Sequence, residues 1–237
     1  MSTFSKVFAT AFCVLALCSG MMNAQRQNLA DWEKYADKNL QLGAPAKGEK
    51  RVVLMGSGIT AGWPKMRPEF FKENKLISRG ISGQTSFQFL LRFREDVINL
   101  KPKIVVINCG MNDIAENMGD YDENLTFGNV VSMVELARYN KIKVILTSCL
   151  PTDECGLKRW IKNGMRKVRL LNARIQAYAK KNKIPYVDYF SAMVNENGDA
   201  MNRAYAAYAT YYSVVHPNAQ GYEVMERLLL PVIQKLR

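Results

Sequence analysis

At 237 residues the chain can form one α/β domain of ordinary size with a substantial core. Its formal charge of +12 suggests attraction to acidic glycans, anionic lipid or nucleic acid, and the last is rarely met by an exported chain. A single histidine rules out a Cys/His zinc cluster, and five cysteines are too few for a disulfide scaffold.

The chain opens with Lys6, the apolar run Val7–Leu17 and the small-residue site Met22-Asn23-Ala24. The run is too short for a stable membrane anchor and reads as a signal peptide over 1–24, cut after Ala24. A short apolar amino-terminal helix is the alternative. Cys18 admits a lipoprotein, but Leu17 before it has the wrong size for a lipobox. The expectation is therefore an exported protein, periplasmic or secreted, with no transmembrane segment in the mature chain. Cys13 and Cys18 leave with the leader. Cys109, Cys149 and Cys155 remain, so at most one internal pair can form, as Cys149–Cys155 or Cys109–Cys149, with buried free thiols equally compatible.

Residues 25–50 read as an amino-terminal helix, Asn28–Leu42, followed by the linker Gly43–Lys50. From Arg51 to the end, strands and helices alternate. Val52–Met55 is a strand that breaks into the glycine turn Gly56-Ser57-Gly58 and then a helix. A short helix follows at Pro68–Asn74, and a brief strand at Leu76–Ser78 ends at Gly80. Ser86–Asn99 is amphipathic, with Phe89, Phe93 and Val97 on one side. Ile104–Asn108 is a strand, Leu125–Tyr139 a helix and Val144–Thr147 a strand. Leu157–Asn182 is a long helix with Ile161, Met165, Val168, Ile175 and Ala179 along its buried stripe. Tyr186–Asp188 is the last strand and Ala219–Leu236 the closing helix. Strands separated by such helices require right-handed crossovers. The predicted fold is therefore a three-layer α/β/α domain over 51–237, with a mostly parallel five-stranded sheet in flavodoxin-like order. The basic residues crowding Lys158–Lys183 fall largely on the outer face of a helix and read as a solvated face rather than an anionic-ligand surface.

Four stretches fall at strand ends or loops, where a parallel sheet places its ligand site. They are Gly56-Ser57-Gly58-Ile59-Thr60, Gly80-Ile81-Ser82-Gly83-Gln84-Thr85, Gly110-Met111-Asn112-Asp113 and Ser213-Val214-Val215-His216-Pro217. In this order and spacing they resemble the SGNH or GDSL hydrolases. The resemblance implies an ester hydrolase working through an acyl-enzyme, without metal or cofactor, on a small-molecule or carbohydrate acyl ester. Family members carry a sequence like GDSIT after the first strand, with Ser as nucleophile. Here that position is Gly58, and the preceding Asp position is Ser57. The oxyanion hole falls on the Gly58 and Gly83 backbone and the Asn112 amide. The last motif reads DxxH in the family. Here His216 is kept, and Ser213 stands at the position of the orienting Asp.

Glycine has no atom that can attack a carbonyl. Removing a serine nucleophile costs on the order of a million-fold in turnover, and losing the orienting Asp about ten thousand-fold. Ser57 is the candidate substitute nucleophile. As the neighbour of Gly58, however, it should face away from His216, because successive extended side chains alternate. Asp188, Asp153 and Glu154 are candidates for orienting His216. Trp63, Phe70, Phe71, Trp160, Tyr211 and Tyr212 could line a sugar surface, against the plainer account of core or rim packing. Two readings result. One is an ester hydrolase with strongly impaired catalysis. The other is a non-catalytic protein that binds a glycan or acyl ligand in the same cleft. A nucleotide-binding module is disfavoured because no GxGxxG or P-loop pattern follows a strand.

Overall fold

The computed structural model of the chain describes residues 29–152, 161–207 and 216–237. A 3-10 turn at Trp32–Tyr35 leads into α1, Ala36–Leu42. Next come β1 (Val52–Gly56), α2 (Gly58–Met66), α3 (Pro68–Glu73) and β2 (Leu76–Gly80). These are followed by α4 (Ser86–Asp96), β3 (Ile104–Ile107), α5 (Met111–Ile114), α6 (Glu123–Tyr139) and β4 (Lys143–Thr147). The chain closes with α7 (Gly164–Lys181), β5 (Tyr186–Val187), α8 (Tyr189–Met193) and α9 (Ala219–Leu236).

The strands pair in parallel in the order β2-β1-β3-β4-β5, the flavodoxin-like arrangement expected from the alternating pattern. Period-2 alternation sends Val53, Met55, Val105, Ile107, Val144 and Leu146 to one face, where α4, α6 and α7 supply Phe89, Phe93, Val130, Met133, Val168 and Ile175. Val52, Leu54, Ile104, Val106 and Ile145 face the other way, against Trp63 of α2, Phe70 of α3 and Tyr222, Met225 and Leu229 of α9. A sheet apolar on both faces has to be covered on both, which gives the three layers.

Several boundaries differ from the sequence reading. The amino-terminal helix is split, with Tyr35 ending the 3-10 turn and α1 starting only at Ala36. The helix expected to reach Asn99 stops at Asp96, and a 3-10 turn over Ile98–Leu100 bends the chain toward β3. The long helix expected from Leu157 starts at Gly164, because Asn163 sits in the left-handed region at φ 58° and breaks the helical path. Its stripe is otherwise as read, with Met165, Val168, Ile175 and Ala179 buried. Arg166, Arg169, Lys180 and Lys181 are exposed, as a solvated face requires.

α2 carries Pro64 inside it, which removes the N–H that would bond to the Thr60 carbonyl. That carbonyl instead accepts a hydrogen bond from Ser78 Oγ of β2 at 2.8 Å. The exchange fastens α2 to the edge of the sheet. Gly80 makes this contact close: a Cβ there would lie 2.3 Å from the Ala61 nitrogen and 2.7 Å from the Ser57 oxygen. The amino end of α2 therefore rests directly on the last residue of β2.

Candidate active site

The site is built where β1, β2 and β3 end. β1 runs into Ser57, which precedes α2; the residue is buried, and its carbonyl receives the Ala61 N–H at 2.9 Å. Gly58 is the first residue of α2 and half-buried. An ideal Cβ on Gly58 would lie 2.8 Å from His216 Nε2 and 3.1 Å from Ser82 Oγ. The structure thus brings the imidazole, the Gly58 position and a hydroxyl from the second motif to one point.

His216 is held from behind. Its carbonyl accepts the Ala207 N–H at 2.8 Å, and Pro217 bridges to Ala206. Asn218 caps α9 through the Gly221 N–H at 2.9 Å and donates to the Ala204 carbonyl at 2.9 Å. The imidazole is half-buried, and this burial pushes its pKa below the ordinary histidine value. It is therefore mainly neutral, and able to accept a proton, at neutral pH.

The turn after β2 is closed by a bond from the Gln84 N–H to the Ile81 carbonyl at 3.4 Å, with Gly83 at φ 79°. That is the third-position conformation of a type II turn, which glycine adopts without strain. Asn117 Nδ2 donates to the Gly83 carbonyl at 2.9 Å, and Asn112 Nδ2 to the Gln84 carbonyl at 2.8 Å. Asn112 is thereby fixed against the same turn as Gly83. Its amide nitrogen carries a second N–H.

Beneath the turn lies a fully buried guanidinium. Arg92 donates to Gln84 Oε1 at 2.5 Å, to Asp96 Oδ2 at 2.7 Å and to the Gly56 carbonyl at 3.2 Å. It joins the end of β1 to the turn after β2. Its signal in the sequence is a pair of opposite charges, Arg92 and Asp96, four residues apart on an amphipathic helix. Asp113 closes the third motif, Gly110-Met111-Asn112-Asp113. Both its oxygens accept the Ser86 N–H, at 3.1 and 3.0 Å, and Oδ1 also accepts Ser86 Oγ at 2.5 Å. It thus satisfies the amino end of α4. Burial raises its pKa, and the hydrogen bonds from Ser86 oppose the rise.

The remaining site expectations fare differently. Ser213, Asp153, Glu154, Trp160, Tyr211, Tyr212 and Cys155 lie outside the described residues. Asp188 caps α8, accepting the Ser191 N–H at 3.0 Å and its Oγ at 2.6 Å. Trp63, Phe70 and Phe71 do not line a sugar surface. Trp63 is 3% exposed, stacks on Phe70 and Tyr222, and donates to Glu226 at 3.2 Å. Their aromatic area is spent on the core between α2, α3 and α9. Cys109 and Cys149 are buried free thiols, with Cys149 Sγ donating to the Cys109 carbonyl at 3.1 Å. Burial pushes the Cys149 thiol up to about 12, so it is unreactive at neutral pH. Among the described residues no group of His, Cys, Asp and Glu has the arrangement to hold a metal ion, and no helix is long and apolar enough to cross a membrane.

The fold is a parallel α/β/α sandwich with Gly58, Ser82 and His216 meeting at the carboxyl edge of its sheet. The GDSL-like Lipase/Acylhydrolase profile matches residues 44–224, and the chain belongs to this family. It is similar to a GDSL-like lipase of Bacteroides thetaiotaomicron VPI-5482, with 55% identity and a TM-score of 0.84, covering 88% of this chain and 99% of that one. A crystal structure from Bacteroides fragilis NCTC 9343 matches with the same identity and TM-score over 89% of this chain and 99% of that one. The uncharacterized lipoprotein YqeF of Bacillus subtilis is 29% identical over 187 residues, covering 66% of this chain and 77% of that protein.

Proposed function

We propose that the chain is an exported acyl-ester hydrolase that acts on small or carbohydrate-linked acyl esters. Its turnover is far below that of family members with a serine at the position of Gly58. One observation carries the reading: His216 Nε2 stands 2.8 Å from where a side chain on Gly58 would begin. In this reading the Gly58 and Gly83 N–H groups and the Asn112 amide stabilise the oxyanion, as preorganised donors do in acyl transfer. His216 is the base. Ser213 stands where the family's orienting Asp would be, so the imidazolium lacks a carboxylate at that position. The apolar run Val7–Leu17 and the likeness to a lipoprotein support export.

Glycine at position 58 also favours a second reading, a cleft that binds the ester without turning it over. The test is hydrolysis of p-nitrophenyl acetate and acetylated xylan by the chain from Gln25. His216→Ala is expected to abolish the activity. The double change Gly58→Ser with Ser213→Asp is expected to raise kcat at least about 100-fold, recovering part of what nucleophile and acid supply. A serine at 58 fits once the imidazole end withdraws by a few tenths of an ångström. Inactivity of both parent and double variant, with acylated glycan bound in calorimetry, would establish the binding reading instead.

A further inference from the structure

We infer that Ser82 is the residual nucleophile of this cleft. The inference rests on the ester-hydrolase reading and assigns its missing hydroxyl. Ser82 Oγ and His216 Nε2 approach the same point, the Cβ position of Gly58, at 3.1 and 2.8 Å. A β-carbon at position 58 would occupy the space between them; glycine leaves it to the two polar groups. Ser82 is exposed, so its hydroxyl can rotate toward the imidazole. Catalytic hydrogen bonds commonly tighten only when substrate binds.

The surroundings suit a nucleophile at this place. The N–H that follows Ser82 belongs to Gly83, held at φ 79° in a closed turn. Nucleophile elbows use that same donor, the N–H after the reacting serine, for the oxyanion. Asn112 is tied to the next residue, Gln84, at 2.8 Å. Arg92 braces Gln84 from below at 2.5 Å. Ser57 has no comparable placement, being buried beneath the amino end of α2 and one residue away from the position that faces the imidazole.

The step balances without a further reagent. Ser82 Oγ attacks the acyl carbon while its proton passes to His216 Nε2. The tetrahedral intermediate collapses with cleavage of the bond to the alcohol oxygen, which takes the proton from the imidazolium. Water, deprotonated by the same imidazole, then releases the acid and regenerates Ser82.

The experiment is labelling of the parent chain with a fluorophosphonate, followed by tryptic mapping, beside ester kinetics of Ser82→Ala. Ser82 lies on the peptide 80–92 and Ser57 on 52–65, so the label reports which hydroxyl reacted. The expected result is a label on 80–92, assigned to Ser82 by fragmentation and absent in His216→Ala. Ser82→Ala is expected to lower kcat/KM at least about 100-fold with an unchanged melting temperature. A label on Ser57, or on Ser86 of the same peptide, overturns the assignment. Hydrolysis that survives Ser82→Ala overturns it while leaving the ester-hydrolase reading intact. A parent with neither label nor hydrolysis overturns both.

Discussion

Glycine at position 58 leaves room beside the His216 imidazole, and among the described residues the contacts that anchor the His216 backbone do not involve residue 58. The His216 backbone is held by Ala207, and the residues after it by Pro217 against Ala206 and by the Asn218 cap. Burial of the imidazole lowers its pKa, so kcat/KM should rise with pH through a midpoint below the ordinary histidine value of about 6.5 and level off above it. The stability effect has the same direction. The unfolded chain binds a proton more readily than the folded one, so this residue's contribution is present above the unfolded pKa and is lost as pH falls through the folded value. Urea midpoints between pH 8 and pH 5 should therefore fall less in His216→Gln than in the parent, and equal slopes would contradict the burial argument. Of the residues in the four motifs, Gly83 sits in the turn after β2, Asn112 in α5 after β3, and His216 beside Gly58 ahead of α9. Ser82 stood inside a quoted motif, yet only the three-dimensional path of the β2 turn brings its oxygen beside Gly58.

Among the elements, the contact of α2 with β2 decides the geometry of the cleft, since α2 starts at the site and β2 ends there. Gly80→Ala would drive a methyl into the Ala61 nitrogen and the Ser57 oxygen, which are backbone atoms that cannot step aside. A loss of about 3 kcal/mol or more is expected from urea unfolding, at the upper end of ordinary overpacking costs. Gly128 is the opposite case. It sits exposed in the middle of α6, and a Cβ there meets nothing within 4 Å. Gly128→Ala should stabilise by about 0.5–1 kcal/mol through helix propensity alone. The strands were readable because each is a short apolar run between turn signals. α5 and α8, of four and five residues, were not, because each is about one turn long and too short to show a helical period. The helix starts at Gly164 and Ala36 were missed because apolar spacing continued beyond the points where the backbone leaves the helical region.

At the scale of the whole molecule, the segment before β1 behaves as a strap across the site's support. Tyr35 donates to the Gly80 carbonyl at 2.5 Å, and Arg79 lies over the Tyr35 ring with 4.7 Å to its centroid. Gln84 and Gln88 donate to the Ala30 and Leu29 carbonyls, each at 2.8 Å. Asn39 bonds to Asp96 at 2.8 Å, and Asp96 in turn pairs with Arg92. The strap therefore touches the end of β2, the turn after it and the buried ion pair together. A hydrogen bond of this kind contributes about 0.5–1.5 kcal/mol net, so Tyr35→Phe should cost about 1 kcal/mol with little effect on turnover. Beginning the chain at Gly43 removes all of these bonds at once and leaves the Gln84 amide without its acceptor. Such a chain should lose several kcal/mol in urea unfolding, and its kcat should fall at a temperature where circular dichroism shows it folded. A shortened chain that keeps the parent's kcat would mean that the β2 turn holds its geometry through Arg92, Asn112 and Asn117 alone.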